Sequence, residues 1–305
     1  MVNQNRHIIC CPKFIVDLNS CRDLFPVVFV LKAVKSSLPS LIAILVVQFA
    51  ACELAIAGGR ETTAPARGNQ SFSSQVINDY HYYYAASSFS RVLVTLGITA
   101  VFANTAIDEE IFQEHFRSEF NNSESSELFS SANDFGDYTQ LVYAAPLYLG
   151  AMWLGNAFGG EGSGDNVITI WGNRSLRTLL LGAPQQLVLS YATGAHRPDE
   201  GESNWHPFND DNGVSGHAFF GAVPLLTAAR LTTNNFAKYA LYAASTLPGL
   251  ARVKRNSHYM SQVVLGWSLA YFSSASVFAD KSDKKTNIGV YSRDNNVLIG
   301  IEIGF

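Results

Sequence analysis

The chain has 305 residues, 48% of them hydrophobic and only 15% charged, with a formal net charge of −4. Charge this sparse places it between a very apolar soluble helical domain and a membrane protein with polar extensions, and the slight negative balance offers no basic field for nucleic acid. Cys10, Cys11, Cys21 and Cys52 all lie near the N-terminus, which excludes a disulfide framework, a cysteine nucleophile and a zinc-type Cys/His cluster from the main body.

In chain order, residues 1–57 read as a leader. Lys32 and Lys35 precede the apolar run Leu38–Ala51, and Ala55-Ile56-Ala57 offers a small-residue cleavage site before Gly58. The apolar run is short for a stable anchor, and translation is expected to start near Leu31. Residues 58–80 are polar and without apolar period, and read as a disordered linker. A helical domain is expected over 81–279. Its six candidate helices are Ala85–Ala103, Tyr138–Phe158, Ser175–Thr193, Ser215–Leu231, Phe236–Val253 and His258–Phe278, rich in the small residues that allow close helix packing. Between the first two, Ala106–Phe120 reads as an acidic amphipathic surface helix and Asn121–Asp134 as a Ser/Asn/Glu-rich loop. Residues 280–305 form a charged linker and then a short β-hairpin: Val297, Ile299, Ile301, Ile303 and Phe305 alternate on one face, and Asp294-Asn295-Asn296 supplies the turn.

Three clusters carry chemistry: Thr193-Gly194-Ala195-His196-Arg197-Pro198, then Val214-Ser215-Gly216-His217, then Arg252, His258 and Gln262. Ser215 and Gly216 stand where a helix begins, so free backbone N–H groups and the positive end of the helix dipole favour an anion there. Gly216 leaves room for it. Arg197 and Arg252 each offer a planar fork to phosphate oxygens. His217 and His258 are able to carry protons or attack phosphorus near neutral pH. Gln262 follows His258 by four positions, so its amide oxygen is placed to accept the Nδ1 proton and fix the tautomer. Together these residues suit phosphoryl transfer.

Their order and spacing resemble the three-part signature of the type 2 phosphatidic acid phosphatase superfamily, which also includes bacterial acid phosphatases and vanadium haloperoxidases. The signature runs Lys-x6-Arg-Pro, Pro-Ser-Gly-His and Ser-Arg-x5-His-x3-Asp. Arg197-Pro198, Ser215-Gly216-His217 and Arg252-x5-His258 match it, with weaker likenesses at Trp171-Gly172-Asn173-Arg174 and Leu265-Gly266-Trp267. The resemblance spans roughly Ala85 to Phe278. It implies a divergent bacterial member with an all-α six-helix bundle. It further implies His258 as the nucleophile that becomes phosphohistidine, His217 as the proton donor to the leaving oxygen, and Arg197, Arg252, Ser215 and the Gly216 amide as phosphate ligands. No metal or other cofactor is implied for a phosphatase of this kind, and the substrate implied is a lipid phosphate or small phosphomonoester.

Four positions depart from the signature: Ser190 stands for lysine, Val214 for proline, Ala251 for serine and Gln262 for aspartate. Val214 and Ala251 affect loop shape. Ser190 removes a phosphate-facing charge, for which Lys254, Arg255 or His196 are candidate substitutes. Gln262 orients an imidazole without stabilising its cation. A catalytically silent envelope binding protein is therefore the alternative of a different class, and a vanadium-dependent haloperoxidase the alternative of the same fold. The leader implies export. With a cleaved leader and six spans, the Arg197 connection would face the cytoplasm, so an exported protein that is periplasmic or membrane-associated fits the signature better than a six-span one.

Overall fold

The computed structural model describes residues 71–158 and 166–279, and the backbone of 286–293 and 296–303. The leader lies outside the described residues, as does most of the linker. The linker ends earlier than expected: Ser71 accepts the N–H of Ser74 and starts helix α1, Phe72–Tyr83. Arg177 pins this helix to the body through a bidentate pair with Asp79, at 2.6 and 2.8 Å.

Between Phe72 and Phe278 the described chain is helical apart from short breaks and the connection 194–215. α2 is Ala86–Ala103. The expected acidic helix is instead a π-helical segment, Ile107–Glu114, continued by a short α3, His115–Glu119. It is no mere surface element, because Asp108 and Gln113 are buried. The expected loop at 121–134 is helix α4, Ser123–Tyr138. Asn122 caps it by accepting the Ser125 N–H at 2.8 Å, and Ser125, Phe129, Ala132, Asn133 and Gly136 form its buried stripe at helical spacing. The serines, asparagines and glutamates that suggest a loop occupy the cap and the exposed face.

After a break at Thr139 and Gln140, α5 runs Leu141–Phe158. α6, Val167–Thr193, begins earlier than expected because Asn166 caps it, and it ends at Gly194, whose φ of 60° is the left-handed C-terminal stop. α7 is Gly216–Leu231, capped by Ser215. The expected helix Phe236–Val253 is two: α8, Asn235–Ala244, and α9, Leu247–Lys254. Pro248 cannot continue α8 but is suited to the first turn of α9. α10, Met260–Phe278, is buried over almost its whole length.

The core is organised around α10, which packs on α7, α6 and α2. A Cβ at Gly266 would come within 2.5 Å of the Ser215 carbonyl, so the glycine lets α10 lie against the start of α7. Trp267 donates its indole N–H to Ser245 Oγ at 2.9 Å, and Trp171 donates to the Pro224 carbonyl at 3.0 Å. The two weaker sequence likenesses are thus packing sites. In the C-terminal region β1, Thr286–Arg293, pairs antiparallel with β2, Asn296–Ile303, with Arg293 opposite Asn296.

Candidate active site

The three clusters meet at one end of the bundle, where α6 ends, α7 and α10 begin, and α9 ends. Ser215 is fully buried. It donates its own N–H to the Gln262 carbonyl at 3.0 Å, and its Oγ accepts the Ala218 N–H. The second and third clusters are therefore joined through backbone. Gly216 is half-buried, and a Cβ there would meet nothing closer than 3.6 Å, so the space before the first N–H groups of α7 is open.

His258 is 6% exposed. It precedes α10 rather than lying on it, and its N–H donates to the Arg252 carbonyl at 3.4 Å. Nδ1 lies 2.6 Å from Gln262 Oε1. The amide cannot be turned round, because Oε1 also accepts the Tyr259 N–H at 3.2 Å while Nε2 donates to the His196 carbonyl at 2.7 Å. Nδ1 must therefore donate, which leaves the lone pair on Nε2. Burial drives the His258 pKa down to about 3; the Gln262 bond opposes this, and the nearby charges of Arg252, Arg197 and His217 add to it. The ring is neutral at physiological pH. Gln262 is also the third residue of α10, where glutamine commonly reaches back to cap a helix.

Arg197 and Arg252 are held by amides that lie outside the signature. Arg197 Nε donates to Asn212 Oδ1 at 2.8 Å, and Arg252 Nη1 donates to Asn133 Oδ1 at 3.0 Å. Arg252 Nε is buried with no partner among the described residues, a donor that a bound oxyanion would satisfy. His217 Nε2 lies 2.7 Å from Asp137 Oδ1, and Asp137 Oδ2 accepts Asn133 Nδ2 at 2.8 Å. Burial lowers the His217 pKa. The hydrogen bond to Asp137 raises it, Arg252 lowers it, the Asp137 charge raises it and Arg197 lowers it. The site thus brings together every residue expected from the sequence: His258, His217, Gln262, Arg197, Ser215, Gly216 and Arg252.

Ser190, at the lysine position, is 3% exposed and donates to the Val214 carbonyl at 3.4 Å. It braces the loop beneath the anion site. Two of the candidate charge substitutes are engaged elsewhere: Lys254 donates to the Arg117 carbonyl, and His196 pairs with Asp210. Asn133, Asp137 and Asn212 are the residues that sequence reasoning missed. The Asn133–Asp137 spacing of four on an amphipathic stripe is the signal that locates the first two.

His196, Glu200 and Asp210 place one ligand atom each within 4.8 Å of one another, which makes them the group of described residues able to hold a cation. Their atoms are already engaged. His196 Nδ1 is 2.9 Å from Asp210, Asp210 accepts Asn212 Nδ2 at 2.6 Å, and Glu200 accepts the Arg197 N–H at 3.1 Å.

Residues 176–285 match the family model of the PAP2 superfamily. Over these residues the chain matches the superfamily that the three-part signature resembles. The match takes in all three clusters and stops short of α4, so Asn133 and Asp137 lie outside it. No curated protein and no solved structure matches the chain. The PAP2 match supports phosphatase or haloperoxidase-type chemistry in general, and a neutral imidazole near two arginines and a helix start is a site at which such chemistry is physically sound.

Proposed function

We propose that this protein is a metal-independent phosphatase that hydrolyses a phosphomonoester, a lipid phosphate, through a phosphohistidine on His258. The observation that carries the reading is the Nε2 lone pair that Gln262 leaves on His258, in a ring close enough to feel the Arg252 charge, together with a buried Arg252 Nε that has no partner among the described residues. In the first step the Nε2–P bond forms, the ester P–O bond breaks, and the leaving oxygen takes a proton from His217. In the second, water oxygen attacks phosphorus, the N–P bond breaks, and the water proton passes to His217. Arg197, Arg252 and the first N–H groups of α7 hold the equatorial oxygens throughout. The bundle is read as the six-helix core of this superfamily.

The lipid substrate and a membrane-associated position after export rest on the surface. α5 has the length and hydropathy of a membrane-crossing helix, and only 22% of it is buried. Val142, Tyr143, Leu149, Trp153 and Phe158 are exposed along it, and Leu187, Val188 and Tyr191 continue the apolar surface on α6. A silent binding protein is the second reading, favoured by Ser190, which puts a loop brace where the signature has a charge.

Phosphate release from a panel of lipid and soluble phosphomonoesters, in excess chelator, tests the choice. The expected result is turnover that chelator leaves intact, competitive inhibition by vanadate, and acid-labile phosphate on the protein. Vanadate binding without turnover on any ester, and without vanadate-dependent halide oxidation, would support the silent reading instead.

A further inference from the structure

The proton donor His217 is held by a carboxylate that neither the signature nor the family match contains. Asp137 follows Gly136, the last residue of the buried stripe of α4; its side chain is 55% exposed against 16% for His217, and its Oδ1 lies 2.7 Å from His217 Nε2. A carboxylate only accepts, so Nε2 must carry the hydrogen. The ring's remaining nitrogen, Nδ1, is then the one that takes up and releases a proton. The opposite edge is fixed by packing: a Cβ at Gly136 would fall 2.8 Å from His217 Cδ2, so the glycine is what lets this edge of the ring lie against α4. Asn133 steadies the carboxylate through Oδ2 and in the same amide holds Arg252. The charged and titratable groups around the ring are Asp137 from α4, Arg252 from α9, Arg197 from the α6–α7 connection, and His258.

We propose that Asp137 is a positioning residue of the reaction, fixing His217 as the Nε2–H tautomer with Nδ1 toward the leaving oxygen and keeping the ring able to hold a proton between two arginines. The inference rests on the phosphatase reading for its effect on rate, but not for its effect on the ring. In the first step the Nδ1 proton passes to the leaving oxygen; in the second Nδ1 recovers a proton from the attacking water, while Nε2–H stays on Asp137. The signature's carboxylate is missing beside the nucleophile, where Gln262 stands, and a carboxylate occurs instead beside the proton donor.

The test combines ring titration with kinetics. In protein carrying 15N-histidine, with the His217 signals assigned by their loss in His217→Gln, the wild type is expected to show the Nε2–H tautomer. Asp137→Asn should lower the ring pKa by about one unit, the scale of one lost charge partner, and Gly136→Ala should disturb the tautomer without changing any charge. In kinetics, Asp137→Asn should slow an alkyl phosphate at least tenfold more than p-nitrophenyl phosphate, whose leaving group needs no proton, and should move the alkaline limb of the rate profile to lower pH. An unchanged His217 titration and tautomer in both variants would overturn the proposal. So would equal losses on the two substrates with an unmoved pH profile, the mark of a merely structural role. A wild type inactive on both esters would sink the phosphatase reading, while the ring titration would still decide the role of Asp137.

Discussion

His217 and His258 both stand at the start of a helix, and each is gripped by one side chain, yet their surroundings are opposite. His258 is enclosed, bonded to a neutral amide, and kept unprotonated by burial. His217 is less enclosed and bonded to a carboxylate that resists the same loss of charge. The difference follows the work proposed for each. A nucleophile needs a free lone pair and gains from staying neutral before attack, whereas a proton donor must hold a proton near two arginines.

The comparison is broken most severely by removing each ring in turn. His258→Ala should abolish turnover of every ester, a loss of roughly a thousandfold or more, with unchanged helix content. His217→Ala should cost about 100-fold or more on an alkyl phosphate, the contribution typical of a general acid, and much less on p-nitrophenyl phosphate. Equal losses on both esters for His217→Ala would remove it from the role of proton donor.

A smaller effect is expected from giving His258 the kind of partner that His217 has. The signature has aspartate at this place, but the amide spans His258, Tyr259 and His196 at its full length, so Gln262→Glu is the change that keeps the reach. It should raise the His258 pKa and increase the rate about tenfold, equivalent to roughly 1.4 kcal/mol of transition-state stabilisation. The lost donor to the His196 carbonyl opposes this gain. A slower enzyme would show that the site is adapted to a neutral partner. Ser190→Lys should add nothing to this gain, because a lysine there would have to displace the buried contact with Val214.

The smallest effect concerns acid stability. His258 titrates near pH 3 in the folded protein against an ordinary value of 6.5. Between those values the unfolded chain binds the extra proton, so stability present above pH 6.5 is lost as pH falls toward 3. Asp108 opposes this over part of the range: burial raises its pKa to about 6, so its folded form holds the extra proton and stability falls as pH rises from about 4 to 6. His258→Gln removes the first effect and keeps the second. Its melting temperature should therefore drop less than that of the wild type between pH 7 and pH 4.5, by a few degrees. A larger drop would mean that the wild-type ring is charged when folded.

The second contrast is between α5 and α10. Neither contains a charged residue, and both are long apolar helices. α10 is buried and α5 is mostly exposed. Apolarity records that a helix avoids water and is silent on whether protein or lipid replaces it. α10 lies against protein, Gly266 on the start of α7 and Trp267 on Ser245.

Much was legible in the sequence alone. The helical class and α2, α6, α7 and α10 in outline follow from apolar runs, caps and spacings that act within a few residues, and the seven motif residues stand out by their residue types and by the signature they resemble. What the sequence hid is non-local. Asn121–Asp134 reads as a loop because its polar residues outnumber its buried stripe, and only the packing of α4 against α9 and α7 shows which face is inside. The Asp137–His217 contact joins residues 80 positions apart, and the Asn133–Arg252 contact joins residues 119 apart. No local period encodes either one. The sequence determined which side chains could do the chemistry; the tertiary structure decided which partner each one has, because burial, charge and tautomer depend on neighbours that only folding brings near.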